Sequence, residues 1–159
     1  MKKTGLFIVL IFILSNCELE RRDNSMAEII SKKKMLDLVN QLRKNGCDCG
    51  GTYMPPVGKL EWDYQLERAA LAHSIDMNVQ HYFSHVSPDG ATFSNRINGT
   101  DYTGSPIGEN IAMGYPDEES VFNGWRNSPG HCMNMMNGSA TDIAVGRSGT
   151  YWTMELGKK

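Results

Sequence analysis

Between residues 29 and 42 the apolar positions Ile29, Ile30, Met35, Leu36, Val39 and Leu42 return every three or four residues. That is the period of one helical face, and it predicts a first helix ending near Lys44, where Asn45-Gly46 stops it. After Leu60-Glu61-Trp62, Asp63 is placed to cap a second helix whose inward face carries Leu66, Ala69, Ala70, His73 and Met77. Ser87-Pro88-Asp89-Gly90 is a turn signal, and the polar, glycine-rich stretch from Ala91 to Pro106 reads as loop with one short helix near Phe93 to Ile97. A strand is expected from Glu109 to Tyr115. Asp117 then caps a third helix carrying Val121, Phe122 and Trp125, and Ser128 offers a capping hydroxyl ahead of Pro129, which starts a short fourth helix through Met136. The period changes to two at the end of the chain. Asp142-Ile143-Ala144-Val145 and Tyr151-Trp152-Thr153-Met154-Glu155-Leu156 flank Ser148-Gly149, a hairpin signal. Helices first and a strand pair last predict an α+β sandwich in one domain.

The N-terminal pattern is of another kind. Lys2 and Lys3 precede an unbroken apolar run from Leu6 to Leu14. A membrane-spanning helix takes about 20 apolar residues, so this run reads as an export signal. The Leu14-Ser15-Asn16-Cys17 that follows resembles the lipobox of bacterial lipoproteins, which implies a signal peptide over 1–16, a lipidated Cys17 and stable anchoring by acyl chains such as palmitate. Residues 17–33, rich in charge with Arg21, Arg22 and Asp23, read as a polar tether, and 34–159 as the folded domain. Glu18, in place of Asp after Cys17, is compatible with sorting away from the inner membrane. The expected location is therefore the outer membrane or cell surface.

Of 16 basic and 18 acidic side chains, Lys2 and Lys3 leave with the leader, so the exported chain carries a net charge of about −4, and nucleic acid is not an expected partner. Export puts Cys47, Cys49 and Cys132 where disulfides persist. Cys47 and Cys49 are too close in sequence to bridge one another comfortably, so one long-range bond to Cys132 is expected, from either of them.

Two histidines stand in loop-like polar settings, His85 in Tyr82-Phe83-Ser84-His85 and His131 in Ser128-Pro129-Gly130-His131, and Glu109 in Gly108-Glu109-Asn110 is a third candidate. Together with Leu38-Val39-Asn40-Gln41-Leu42-Arg43, Leu60-Glu61-Trp62, Ala69-Ala70-Leu71-Ala72-His73-Ser74-Ile75-Asp76-Met77, Gly108-Glu109-Asn110-Ile111-Ala112, Trp125, Ser128-Pro129-Gly130-His131-Cys132 and Tyr151-Trp152-Thr153, the ordered series resembles the CAP superfamily of cysteine-rich secretory, antigen 5 and pathogenesis-related 1 proteins, in its short bacterial form. The resemblance spans roughly Met35 to Gly157. It implies an α-β-α sandwich with a three-stranded antiparallel sheet between helical layers, and a cleft where two histidines and two acidic residues meet. His85, Glu109 and His131 match three of those four positions. The second acid does not match, because Arg126, Asn127 and Ser128 follow Trp125 where the family carries it. The resemblance also implies a Cys49–Cys132 bond with Cys47 left free.

Two imidazoles and one carboxylate suit zinc, nickel or copper, but a hydrolase would need a general base as well, and the missing carboxylate was the obvious one. No acid-His-Ser order is apparent around Ser84, Ser87 or Ser128. Met133, Met135 and Met136 beside His131 read first as core filler and second as a soft apolar lining, with Tyr102 and Tyr115 as candidate borders of the same cleft. The leading expectation is a binding module for a lipid, sterol, fatty acid or host protein, placed ahead of an enzyme. The alternative is a metal-dependent hydrolase of peptide or cell-wall material that holds its ion with His85, Glu109 and His131.

Overall fold

The computed structural model describes residues 30–159. The expected leader, Cys17 and the first part of the tether lie outside the described residues. Chain order is α1 (Lys32–Asn45), β1 (Cys47–Asp48), β2 (Tyr53–Met54), β3 (Glu61–Trp62), α2 (Tyr64–Gln80), α3 (Phe93–Asn98), β4 (Ser105–Met113), α4 (Glu118–Asn127), α5 (Pro129–Met135), β5 (Asp142–Ser148) and β6 (Tyr151–Lys158).

Caps set most of the helix starts. The Asp63 carboxylate accepts from the backbone N–H of Gln65 and Leu66, and Thr92 with Asn95 and Asp117 with Ser120 form reciprocal capping boxes. Ser128 does not cap α5 with its hydroxyl, contrary to the sequence expectation; Pro129 at the first helical position supplies the start by itself.

Antiparallel pairing joins β4 to β6 and β6 to β5, giving the three strands the family resemblance implied. A fourth strand corrects that count: β3 pairs in parallel with β5 (Glu61 opposite Asp142, Trp62 opposite Ile143), so the sheet order is β3-β5-β6-β4. A two-residue strand carries too little pattern to be read from sequence. The same holds for the ribbon β1-β2, which lies inside the expected loop after α1. The strand expected from Glu109 begins earlier, at Ser105, with an irregularity between Pro106 and Gly108.

Alternation along β5 and β6 sorts the side chains between two helical layers. Ile143, Val145, Trp152, Met154 and Leu156 join Met35, Val39, Leu42, Val121, Trp125, Met135 and Met136 in the main core under α1, α4 and α5. A fully buried side chain of this size contributes about 2–3 kcal/mol. The opposite face, with Ala144, Thr153 and Glu155, lies under α2 and α3. Gly146 permits that layer its close approach. A Cβ there would stand 2.3 Å from the backbone nitrogen of Leu71 in α2.

Arg43, fully buried at the end of α1, binds four carbonyls: Nε donates to Gly58, Nη1 to Met135 and Asn137, and Nη2 to Ala140. It ties α1 to the end of α5. Burial lowers its pKa to about 10. The Cys49–Cys132 disulfide joins the β1–β2 loop to α5 across a sequence separation of 83, and Cys47 is the free cysteine. A closed loop of that length contributes about 4 kcal/mol in the chain-entropy account.

Candidate functional site: two histidines beside a buried carboxyl pair

Strand β4 is the edge of the sheet, and Glu109 points from it into the layer under α2 with its side chain 1% exposed. His81 closes α2 in the left-handed conformation (φ 56°), a turn that helical residues do not make, and sends the chain back along the sheet. Buried His73 fixes the returning segment, since its Nε2 lies 3.0 Å from the carbonyl oxygen of Ser84. Behind it the Tyr82 hydroxyl donates to Asp76 (2.5 Å) and accepts from the Ser87 hydroxyl (3.2 Å). This frame delivers His85, whose Nδ1 donates to Glu109 Oε1 at 2.7 Å while the side chain stays 53% exposed.

The second oxygen of Glu109 is held by Arg96 of α3, whose Nη2 donates to it at 2.5 Å. The same guanidinium reaches the carbonyls of His85 and Ala91 and the hydroxyl of Ser87. Burial works to raise the pKa of Glu109, but the hydrogen bond from His85 and the charge of Arg96 outweigh it and hold the carboxyl below its usual value. Glu155 stands directly opposite Glu109 in the β4–β6 register and is fully buried. No donor group reaches either of its oxygens among the described residues, and its carboxyl meets that of Glu109 as its hydrogen-bonding partner. Burial first, and then the Glu109 charge beside it, raise its pKa well above the usual carboxyl value and favour the protonated form, which donates to Glu109. His73 is shifted down by burial, against the opposing pull of Glu109, and is neutral there.

His131 arrives from the other layer, half-buried in the first turn of α5. Asn110 Nδ2 donates to its carbonyl oxygen (3.0 Å), and Asn134 Nδ2 donates to the carbonyl of Glu109 and the side chain of Asn110, so α5 is docked on β4 by amides. Burial, and then the neighbouring His85, lower the pKa of His131. The site is therefore two imidazoles beside the edge strand, one of them oriented by a buried carboxylate. Both oxygens of that carboxylate are already engaged. Among the described residues, the only set of three or more His, Cys, Asp or Glu ligand atoms within 4.8 Å of one another is Cys47, Cys49 and Cys132.

Phe83 and Val86 flank His85 with about half their surface exposed, and Met133 is 37% exposed two residues after His131. Met135 and Met136 are fully buried core, as the first reading of the methionine cluster had it. Tyr102 belongs to the small core with Leu66, Ala69 and Ile97 and donates to Asp142, and Tyr115 packs on the main core, so each serves as packing instead of bordering the histidines. Arg96 and Glu155 carry no local signal in the sequence, while Tyr82 and His73 enter it only as members of the family motifs and, for His73, of the inward face of α2.

Residues 36–154 match the model of the cysteine-rich secretory protein family, CAP. The chain belongs to that family. It is 35% identical over 130 residues to the uncharacterized membrane protein YlbC of Bacillus subtilis, an alignment that takes in 81% of this chain and 35% of the relative, so this CAP chain spans about a third of that protein. Among solved structures, an extracellular protein containing a SCP domain from Bacillus anthracis superposes with a TM-score of 0.70 at 32% identity, over 80% of this chain and 40% of the other. An outer surface protein from Borrelia burgdorferi superposes with a TM-score of 0.66 at 25% identity, over 84% of this chain and 99% of its own. No helix among the described residues of this CAP chain is long and apolar enough to cross a membrane.

Proposed function

We propose that this CAP domain works outside the cytoplasm as a lipid-anchored binding module, taking an amphipathic ligand such as a fatty acid or sterol at the two-histidine site. The observation that carries the reading is the combination at His85, an exposed imidazole oriented by Glu109 and bordered by exposed Phe83 and Val86. Single exposed apolar residues need no explanation, but apolar contacts beside a few placed polar groups are the make-up of a small-molecule site. The partners of Glu109 support binding over hydrolysis. Arg96 and His85 occupy its oxygens, and Glu155, the acid opposite it, is buried and uncharged, so neither carboxyl is free to act as a base at the surface. The lipobox-like Cys17 supports the anchor, and the extracellular and outer-surface descriptions of the two structural relatives support the compartment. Titration of the protein with oleate and with cholesterol, followed by tryptophan fluorescence, tests the ligand class. Saturable binding weakened at least tenfold in His85→Ala and in Phe83→Ser is expected; no saturable binding to either lipid would end this reading.

One observation favours a second reading, metal binding. A histidine that gives Nδ1–H to a carboxylate and turns Nε2 outward has the second-sphere pattern of a metal-ligating histidine. His85 and His131 would hold the ion with Glu109 orienting the first, and the ion would supply Lewis acidity to a bound water. Hydrolytic zinc sites ordinarily use three protein ligands, and this arrangement offers two free imidazoles. Zinc titration by calorimetry on wild type and His131→Ala decides it: micromolar binding lost in the variant supports a metal site, and no heat in either removes it.

A further inference from the structure

The β1–β2 ribbon places three sulfurs together on the side of α5. Cys47 Sγ lies 3.6 Å from Cys132 Sγ and 3.7 Å from Cys49 Sγ, the two atoms of the disulfide. Residues two apart in an extended segment point the same way, so Cys47 and Cys49 face Cys132 together. Gly50 between the ribbon strands (φ 66°) packs against Pro129, where a Cβ would stand 2.5 Å from Pro129 Cγ, and this contact holds the ribbon on the first turn of α5. Cys47 is half-buried, and burial holds its thiol above the usual range, with Arg126 pulling the other way and Asp48 adding to the rise, so exchange is faster at alkaline pH.

We propose that these sulfurs form a thiol–disulfide exchange site in which Cys47 and Cys49 are interchangeable partners of Cys132. The Cys47 thiolate attacks Cys132 Sγ, a Cys47–Cys132 bond forms, the Cys49–Cys132 bond breaks, and the electron pair leaves on Cys49 Sγ. The proton given up by Cys47 ends on Cys49, so no oxidant or reductant is consumed. The thiol sits nearly equidistant from both sulfurs, beside the S–S bond, so in-line attack on Cys132 requires Cys47 to move from the position it holds here. Attack on Cys49 is disfavoured because it would close a bridge between residues two apart. The exchange moves the staple by two residues and releases the Cys49-Gly50 turn from α5, the helix that carries His131.

The test uses the full chain expressed with its own N-terminal segment, held at pH 7 and pH 9, quenched in acid, alkylated and mapped by mass spectrometry. Exchange predicts that a Cys47–Cys132 peptide and alkylated Cys49 appear beside the Cys49–Cys132 form, and reach their final level faster at pH 9. A second arm oxidises Cys49→Ser with glutathione disulfide, and a Cys47–Cys132 bond is expected in the folded variant. If, of Cys47, Cys49 and Cys132, the wild type carries label on Cys47 alone at both pH values, the proposal fails whether or not the variant folds. A folded Cys49→Ser variant that keeps two free thiols also overturns it.

Discussion

Glu109 and Glu155 face one another across β4 and β6, and the two carboxyls are driven in opposite directions by their surroundings. Glu109 has His85 on one oxygen and Arg96 on the other, whereas no donor reaches Glu155, whose carboxyl meets only that of Glu109. Two adjacent buried carboxylates would repel, so the pair settles into one anion and one acid. That division gives the two-histidine site its character. The charge needed to orient His85 is kept in place and screened from solvent, while the second acid is withheld from chemistry at the surface.

A raised pKa in the folded state has a definite stability signature. Glu155 ionises near the ordinary carboxyl value of 4.5 when unfolded and well above it when folded. The folded protein therefore binds one more proton in the interval between, and stability falls as pH rises through it. Glu155→Gln keeps the shape, places an amide donor beside Glu109 and does not titrate. Thermal melts are expected to show wild type and variant close together at pH 4 and the variant increasingly ahead as pH rises to 8, by about 1.4 kcal/mol for each unit by which folding raises the Glu155 pKa. A gap that is constant with pH would place the raised ionisation elsewhere.

Glu109 contributes with the opposite sign. Its folded pKa is depressed, so its contribution is present above the ordinary value of 4.5 and is lost as pH falls through the folded value. The hydrogen bond from His85 makes the larger part of that depression, and the charge of Arg96, whose side chain is 10% exposed, makes the next. Arg96→Met leaves Glu109 with His85 alone and is expected to cost about 3–5 kcal/mol in denaturant unfolding at neutral pH. In a double-mutant cycle with Glu109→Gln much of that loss should disappear. Additive losses would show that the guanidinium acts mainly through the carbonyls of His85 and Ala91.

The helices, the final hairpin and three residues of the candidate site were legible because each rests on a local signal: Asp63 and Asp117 as caps, the three-to-four spacing from Ile30 to Leu42, and Tyr82-Phe83-Ser84-His85, Gly108-Glu109-Asn110 and Pro129-Gly130-His131 as ordered family motifs. Glu155 was not legible, because Tyr151, Thr153 and Glu155 alternate with Trp152, Met154 and Leu156 as the solvent face of a strand does. Only the tertiary packing of α2 over that face buries it. Arg96 lay in a short helix that sequence placed correctly, but its partner is thirteen residues away on another element, and no spacing rule connects them. The small polar residue Ser74 was the one available hint. A serine on an inward helical face needs a polar partner, and it finds Thr153, next to Glu155.

Gly146 tests whether the layer over Glu155 is fixed by close packing. Its φ is not in the left-handed region, so a side chain is opposed by space alone, with Leu71 N at 2.3 Å and Ala70 C at 2.6 Å from the added Cβ. Those atoms are helix backbone and cannot rotate away, so Gly146→Ala must push α2 off β5. A cost of about 2–3 kcal/mol is expected, at the upper end of ordinary overpacking, with faster amide exchange across Ser74 and Thr153. An unchanged melting temperature would mean that α2 sits farther from the sheet.

Arg43 makes the sharpest distinction between a charge and a shape. Its three nitrogens serve the carbonyls of Gly58, Met135, Asn137 and Ala140, at 2.7 to 3.2 Å, in a fully buried position. Lysine has the same sign of charge but one nitrogen, which cannot span four acceptors on two sides of a planar fork. Arg43→Lys and Arg43→Met are therefore both expected to destabilise by about 3 kcal/mol or more, because each leaves buried carbonyls without donors. The lysine variant should recover at most a small part of the loss. Urea unfolding of the two variants checks this: a lysine variant within 1 kcal/mol of wild type, roughly the net value of one ordinary hydrogen bond, would show that a point charge suffices to hold the end of α5 beneath His131.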